Sequence, residues 1–134
     1  MELNNEIKNI IKNSTFQIIE GVFVYTKVNK IPETSGHFMI TVDKDEITVV
    51  TESGKLNELD IIERNKDDYS LIALNVSIPF YSVGFLSSVN EAIAKGGMNI
   101  LIVSTYSKDY IMVKEDQTGK AKETLLSLGF QEKF

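Results

Sequence analysis

Residues 70–134 carry an order of apolar runs and breaks that few folds can accommodate. Apolar runs lie at 71–76, 98–103 and 110–113, and residues 82–95 repeat apolar positions at steps of three and four. That repeat predicts an amphipathic helix, and a second helix is predicted from Asp116 to Gly129. With a short last strand the predicted order is β-α-β-β-α-β. It indicates an α+β, ferredoxin-like split-βαβ fold, in which an antiparallel sheet carries its helices on one face.

The first half of the chain predicts mostly strands. A short amphipathic helix is expected over residues 2–13, because apolar side chains recur there on one helical face. Strand-forming runs follow, with Glu20-Gly21 between the first two, and an acidic turn at 43–46 joins the last two into a hairpin; the runs are 16–19, 22–28, 38–42 and 47–51. Six consecutive polar residues at 63–68 predict a linker. We therefore expect two domains, at 1–65 and 66–134.

The strands of the second half look apolar on both faces. Residues 100–103 and 111–113 do not alternate with polar residues. An antiparallel sheet with helices on one face should show that alternation if its other face met water. The second face must then be covered by the first half of the chain, by another subunit, or by both. We expect a contact between two sheet layers, and a homodimer.

Composition and charge exclude several classes of partner. The 134 residues carry 14 Lys and Arg against 19 Asp and Glu, a net charge of −5, and Arg64 is the only arginine. Proteins that bind nucleic acid or anionic membranes concentrate basic residues, so neither partner is expected. No apolar window is long enough for a membrane helix, and residues 1–14 lack the apolar centre of a signal peptide. Together with the absence of cysteine, these features predict a cytoplasmic protein.

Three segments resemble ACT domains. Residues 82–89 (SVGFLSSV) resemble the loop-to-helix signature of that family, and 96–100 (GGMNI) its return from helix to strand. Residues 103–114 (VSTYSKDYIMVK) resemble bacterial tandem-ACT proteins related to the CASTOR amino-acid sensors. The resemblance implies two ACT-like units, of which the first is degenerate because it lacks a Gly-x-Leu loop followed by a helix. It also implies a regulatory, non-catalytic protein that binds an amino acid or similar effector at a domain or subunit interface.

The loop before the first helix of the second half is the predicted site for a ligand carboxylate. Free backbone N–H groups and a partial positive charge lie at a helix start, and Gly84 permits close approach because it has no side chain. The candidate ligand-binding residues in this segment are Ser82, Val83, Gly84, Phe85 and Leu86. Alternatively, Gly84 only allows a turn or tight helix packing.

The turn between the next two strands is the predicted site for a ligand ammonium group. Asp109 would accept from the ammonium, the hydroxyls of Ser104 and Thr105 lie close in sequence, and Tyr106 would wall the pocket. The alternatives are that Asp109 and the hydroxyls only stabilise the turn and that Tyr106 is an exposed hairpin aromatic.

The remaining features favour no chemistry of their own. His37 is the only histidine and is expected to be a surface residue in a turn. The acidic turn at 43–46 lacks the glycine and closing glutamate of a calcium loop, and no metal, cofactor or catalytic triad is predicted. The leading hypothesis is an amino-acid-binding regulatory or sensor protein that is not an enzyme. The alternative is a ligand-free interaction module, either a homodimer or a scaffold for a hetero-complex.

Overall fold

The computed structural model describes residues 4–33, 35–76 and 84–134. The chain divides into two compact units. The first, here called the helical unit, comprises Met1–Glu20 and Ser70–Phe134, and the second, the strand unit, comprises Gly21–Tyr69. The units are therefore not two consecutive halves of the sequence, because the N-terminal segment belongs with the second half.

Three α-helices and eight strands make up the described chain. The helices are α1 (Asn5–Lys12), α2 (Phe85–Lys95) and α3 (Thr118–Leu128). The strands are β1 (Thr15–Val28), β2 (Met39–Val42), β3 (Ile47–Glu52), β4 (Ile61–Arg64), β5 (Tyr69–Asn75), β6 (Leu101–Ser104), β7 (Asp109–Lys114) and β8 (Gln131–Glu132). Short 3₁₀ helices lie at Ser53–Glu58 and Glu115–Gln117. The fold is α+β, as the sequence predicts.

The N-terminal helix is amphipathic and capped. The Asn4 side chain accepts a hydrogen bond from the Ile7 N–H at 2.8 Å, which satisfies one of the free donors of the first turn. Ile7, Ile10 and Ile11 are all buried in the core of the helical unit. The predicted helix over 2–13 is confirmed for its described part.

The sheet of the helical unit has the strand order β8–β1–β5–β7–β6. The last strand of the chain pairs with β1 rather than β5: Thr15 lies beside Gln131 and Phe16 beside Glu132 in parallel register. The N-terminal segment therefore supplies a strand between β5 and β8. This pairing is the physical reason that α1 and the start of β1 belong to this unit.

The two strands expected to be apolar on both faces differ. Ile111, Met112 and Val113 of β7 are all fully buried, so both faces of that strand are covered within one chain. Strand β6 lies at the end of the sheet order and is only half covered, with Ile102 40% exposed. The prediction is therefore confirmed for β7, whereas for β6 it stays a prediction, because the expected cover includes another subunit.

The sheet of the strand unit has the order β4–β1–β3–β2. Strands β1 and β3 are antiparallel, as are β3 and β2, so β1 and β2 run in the same direction. The predicted hairpin with its acidic turn is confirmed as β2 and β3. The described part of this unit contains a 3₁₀ helix and no α-helix.

Two boundaries differ from the sequence-based expectations. The predicted break at Glu20-Gly21 is absent, because β1 continues through Gly21, whose φ is +115°. The predicted linker at 63–68 is wrong for its first two residues. Glu63 and Arg64 belong to β4 and pair with Lys27 and Thr26 of β1. Polar side chains on an edge strand face water, so they carry no strand signal.

A half-buried tyrosine, Tyr25, beside the buried Tyr69 gives the strand unit a testable pH dependence. Burial and, secondarily, the neighbouring Tyr69 raise the pKa of Tyr25 above its ordinary value of about 10. The ring centroids of the two tyrosines lie 6.1 Å apart in an edge-to-face arrangement. The unfolded chain therefore ionises first as pH rises. The contribution of Tyr25 to the free energy of unfolding is fully present below pH ~10, and it is lost as pH rises through the pKa of Tyr25 in the folded protein.

We expect the Tyr25→Phe variant to lose less stability than the parent protein over this alkaline range. Urea unfolding midpoints measured at a series of pH values check this, with both proteins compared at each pH. The difference isolates Tyr25 because the other tyrosines and the lysines titrate in both proteins. Parallel curves for the two proteins would show that the Tyr25 hydroxyl ionises as easily in the folded chain as in the unfolded one.

Candidate functional site

Helix α2 begins at a glycine in a left-handed conformation. Gly84 is the N-cap residue with φ +81° and ψ 1°, and as a glycine it has no side chain with which to cap the helix. Its carbonyl accepts the first helical bond from Ser88 N at 3.0 Å, and also hydrogen bonds from the hydroxyls of Ser87 and Ser88 at 3.1 and 2.7 Å. The N–H groups that follow, from Phe85 to Ser87, have no acceptor within the helix. A helix start of this kind suits an anion.

The side chains after Gly84 are structural. Phe85 is 2% exposed, and its ring meets Phe130 edge-on with centroids 5.9 Å apart. Leu86 is half-buried and packs against the same core. Only the backbone N–H groups of these two residues could therefore meet a ligand. Ser82 and Val83 lie outside the described residues.

The described residues do not crowd the α-carbon of Gly84. Among them, the heavy atom nearest to a methyl group built on Gly84 would be Ser87 Oγ, at 3.9 Å. The positive φ is therefore the reason for glycine at this position, since other residues rarely adopt it. Glycine also leaves the backbone accessible.

The turn between β6 and β7 brings Ser104 and Asp109 together. The two residues are cross-strand partners, and the Ser104 hydroxyl donates to Asp109 Oδ1 at 2.6 Å. Asp109 is half-buried, whereas Ser104 is exposed. The bond fixes the direction of the carboxylate.

Thr105 and Tyr106, also predicted to line the site, lie in the same turn between β6 and β7. The Thr105 N–H and hydroxyl both donate to the Lys108 carbonyl, at 2.8 and 3.2 Å, and so close the turn. Tyr106 is 86% exposed at its tip. Both observations agree with the alternative reading of these residues as parts of a hairpin turn.

Sequence reasoning missed the role of two hydroxyls and misplaced the histidine. The Ser87 and Ser88 bonds to Gly84 could have been anticipated from their spacing of three and four residues after the helix start.

The prediction that His37 is a surface residue is wrong. Its side chain is fully buried in the strand unit, with Nδ1 2.7 Å from Thr51 Oγ1 and Nε2 3.9 Å from Glu58 Oε1. Both neighbours are distant in sequence, so no local pattern could reveal them.

Residues 4–33, 35–76 and 84–134 show no metal cluster and no membrane-spanning helix. Within these ranges no three His, Cys, Asp or Glu side chains cluster in a way that could hold a metal ion. None of the helices found there combines the length and apolar character needed to cross a membrane.

One protein-family model matches part of the chain. The family model of the ACT domain matches residues 65–127, which include both the start of α2 and the β6–β7 turn. No curated protein matches the chain at the sequence level.

Solved structures share the fold over nearly the whole chain. A protein of unknown function from Vibrio cholerae aligns with a TM-score of 0.76 at 19% identity, covering 92% of this chain and 96% of that one. A protein from Agrobacterium tumefaciens gives 0.73 at 20% identity, with 90% and 92% covered. The ligand-free regulatory subunit of aspartate kinase from Thermus thermophilus gives 0.62 at 10% identity, with 84% and 95% covered. Residues 65–127 are thus similar to the ACT domain, and the chain as a whole has the fold of these three structures.

Proposed function

We propose that this protein is a regulatory module, without catalytic activity, that binds an amino acid in its helical unit. The ligand would lie between the start of α2 and the β6–β7 turn. The observation that carries the proposal is the helix start at Gly84, which has no side chain, together with the oriented Asp109 carboxylate on the turn that follows the next strand.

Topology supports a common place for the two regions. Helix α2 joins β5 to β6, and β7 lies between those strands in the sheet. In a split-βαβ fold the two strands joined by the first helix run parallel, so their C-terminal ends lie at one edge of the sheet. The chain leaves β5 toward α2 at that edge and turns from β6 into β7 there. A zwitterion could then contact both regions.

The chemistry of the two regions is complementary to an amino acid. Backbone N–H groups of Phe85 and Leu86 would hold the carboxylate at the positive end of the helix. Asp109 Oδ2 would accept from the ammonium, with Ser104 holding the carboxylate in direction. The side chain of the ligand would extend away from both contacts. Other residues would therefore determine which amino acid binds.

Regulation would follow from a shift in population. A ligand that binds better to one arrangement of units or subunits increases the fraction of protein in that arrangement, by its difference in affinity for the two. We further propose a cytoplasmic homodimer with two ACT-like units per chain, related to the tandem-ACT proteins of the CASTOR group. The order β4–β1–β3–β2 in the strand unit supports an ACT-like origin for that unit, with its α-helices lost.

Thermal unfolding in the presence of each standard amino acid tests the function. A ligand at about 100 times its Kd should add ~2.7 kcal/mol to the free energy of unfolding, and thus raise Tm by several degrees. The Asp109→Asn variant should bind the active amino acid at least about tenfold more weakly, because a charge-assisted bond becomes a neutral one. The Asp116→Asn variant, with an exposed acid outside this turn, is the matched control. Stability unchanged by every amino acid would refute the proposal, as would equal affinity in the two variants.

A ligand-free interaction module remains the second candidate, and one observation favours it. Ile40 on β2 is 41% exposed and Ile102 on β6 is 40% exposed, and each strand lies at an end of the sheet order in its own unit. Open strand edges with aliphatic side chains are suited to pairing with another chain. Light scattering would then show an assembly whose mass and stability do not change with any amino acid.

A further inference from the structure

The two units repeat one arrangement of four strands. The strand unit has the order β4–β1–β3–β2, and β8, β5, β7 and β6 of the helical unit follow the same order, with β1 inserted between β8 and β5. In each unit a hairpin, β2–β3 or β6–β7, is followed by a short 3₁₀ helix. The 3₁₀ helix of the helical unit continues into α3, whereas that of the strand unit leads to β4. The helical unit therefore shows what covers such a sheet when its helices are present.

The hairpin register shows which residues of the two units are equivalent. Ile40 and Val49 form the third cross-strand pair from the β2–β3 turn, and Ile102 and Ile111 form the third pair from the β6–β7 turn. Cross-strand partners project from the same face of a sheet. Ile111 lies in the core that also contains the buried apolar side chains of α2 and α3. The face that carries Ile40 and Val49 is therefore the equivalent of the face that two helices cover in the helical unit.

This surface, here called the β2 face and made up of Ile40, Val42 and Val49, is open along β2. Val49 is fully buried, but Ile40 is 41% exposed, and Val42, two residues farther along the same face, is 61% exposed. At the position of Val42 the helical unit has the polar Ser104, so the apolar surface extends farther toward the turn in the strand unit. An apolar sheet face is normally covered by a second layer. The described chain provides that layer over Val49 and leaves Ile40 and Val42 partly in water.

The surroundings of the β2 face are acidic. The strand unit carries ten acidic and six basic side chains, so −4 of the net charge of −5 belongs to this unit. Asp45 and Glu46 are exposed in the turn that follows Val42, and their N–H groups donate to the Asp43 carboxylate at 2.8 and 3.0 Å. A partner segment with basic side chains would match this charge.

We propose that the β2 face binds an amphipathic helix with basic side chains, supplied by a partner protein. The apolar stripe of this helix would cover Ile40 and Val42, as α2 and α3 cover the equivalent face of the helical unit. Its lysine or arginine side chains would lie beside Asp45 and Glu46. The equivalence of the two faces favours a helix over an added strand as the occupant. Such a surface would let the protein bind a target of its regulation, so the proposal goes beyond amino-acid binding and does not depend on the α2 site.

An NMR titration of the ¹⁵N-labelled full chain with a synthetic peptide of leucine and lysine tests the proposal. The leucines recur at steps of three and four, so that they form one stripe on a helix. The amide signals of Ile40, Val42 and Ile47 should shift in a saturable way, and the peptide should gain helicity on binding. A peptide of the same composition in scrambled order and a striped peptide with glutamate in place of lysine are the controls. Each control should bind at least about tenfold more weakly.

Equivalent positions in the two hairpins provide matched variants. Ile40→Gln should weaken binding of the striped peptide by about tenfold or more, because it removes apolar contact surface and leaves the charge unchanged. Ile102→Gln is the control, at an isoleucine that is 40% exposed in the equivalent place of the other hairpin, and it should bind as the parent does. Val42→Thr keeps the β-branched shape that suits a strand, so it tests the same contact with the fold intact. It should weaken binding by about threefold or more.

The helix-binding proposal is overturned if the striped peptide leaves the amides of the β2 face unmoved, if the control peptides bind as well as the striped one, or if the Ile40 and Ile102 variants behave alike. It is also overturned if a second copy of the chain occupies this face, which light scattering would show as a dimer that Val42→Thr dissociates. The Asp109→Asn variant should leave the peptide titration unchanged, so this proposal and the amino-acid site can fail separately.

Discussion

Replacing Phe130 by alanine is expected to lower the free energy of unfolding by about 3–5 kcal/mol. The Phe130 ring is 2% exposed and meets two other buried rings edge-on, Phe16 at 6.5 Å and Phe85 at 5.9 Å between centroids. The three rings come from β1, α2 and the connection after α3. Removing the Phe130 ring would therefore weaken the packing of three distant segments of the helical unit at once. A domain of this size has only about 5–15 kcal/mol of stability in total.

The matched control is Phe134→Ala, at a ring that is 96% exposed four residues later. Because that ring is already in water, its removal should change the free energy of unfolding by less than ~0.5 kcal/mol. Urea unfolding followed by circular dichroism measures both variants. Similar losses in the two would mean that Phe130 does not hold the C-terminal segment in the core.

The elements of the helical unit could be predicted from sequence, but their partners could not. The stripe that includes Val89 and Ile93 predicts α2, since side chains three and four residues apart share a helical face. The pairing of Thr15 with Gln131 joins residues more than a hundred positions apart. Periodicity reports which face of an element is buried and says nothing about which strand lies beside it. The placement of the N-terminal segment therefore required coordinates.

The candidate site was predictable to a similar extent. The apolar repeat predicts a helix over 82–95, and in the structure that helix begins later, at Phe85, with Gly84 as its N-cap. Ser104 and Asp109 could be inferred to share a turn, because two strands flank a short polar segment. The use of Thr105 in closing that turn depends on backbone geometry, which the residue types do not determine. The sequence therefore names the segments of the site better than the role of each side chain.

The strand unit shows where local patterns mislead. The prediction of two strands around Glu20-Gly21 rests on the usual reading of glycine as a break. In the structure β1 continues through Gly21, which is also the first residue of the strand unit. Glycine can bend a strand as well as end it, and the two cases share one sequence pattern.

Replacing Gly21 by alanine is expected to cost about 1–3 kcal/mol, since φ +115° is strained for any residue with a Cβ. The added Cβ would also lie 3.0 Å from Glu52 Oε1, the end of a flexible side chain. The matched control is Gly54→Ala, where a Cβ meets nothing within 4 Å and φ is not positive. That variant should be neutral or slightly stabilising. Adding Glu52→Ala to Gly21→Ala separates the two causes in urea unfolding: backbone strain predicts that most of the loss remains, whereas full recovery would attribute the loss to the contact and remove the conformational reason for glycine in mid-strand.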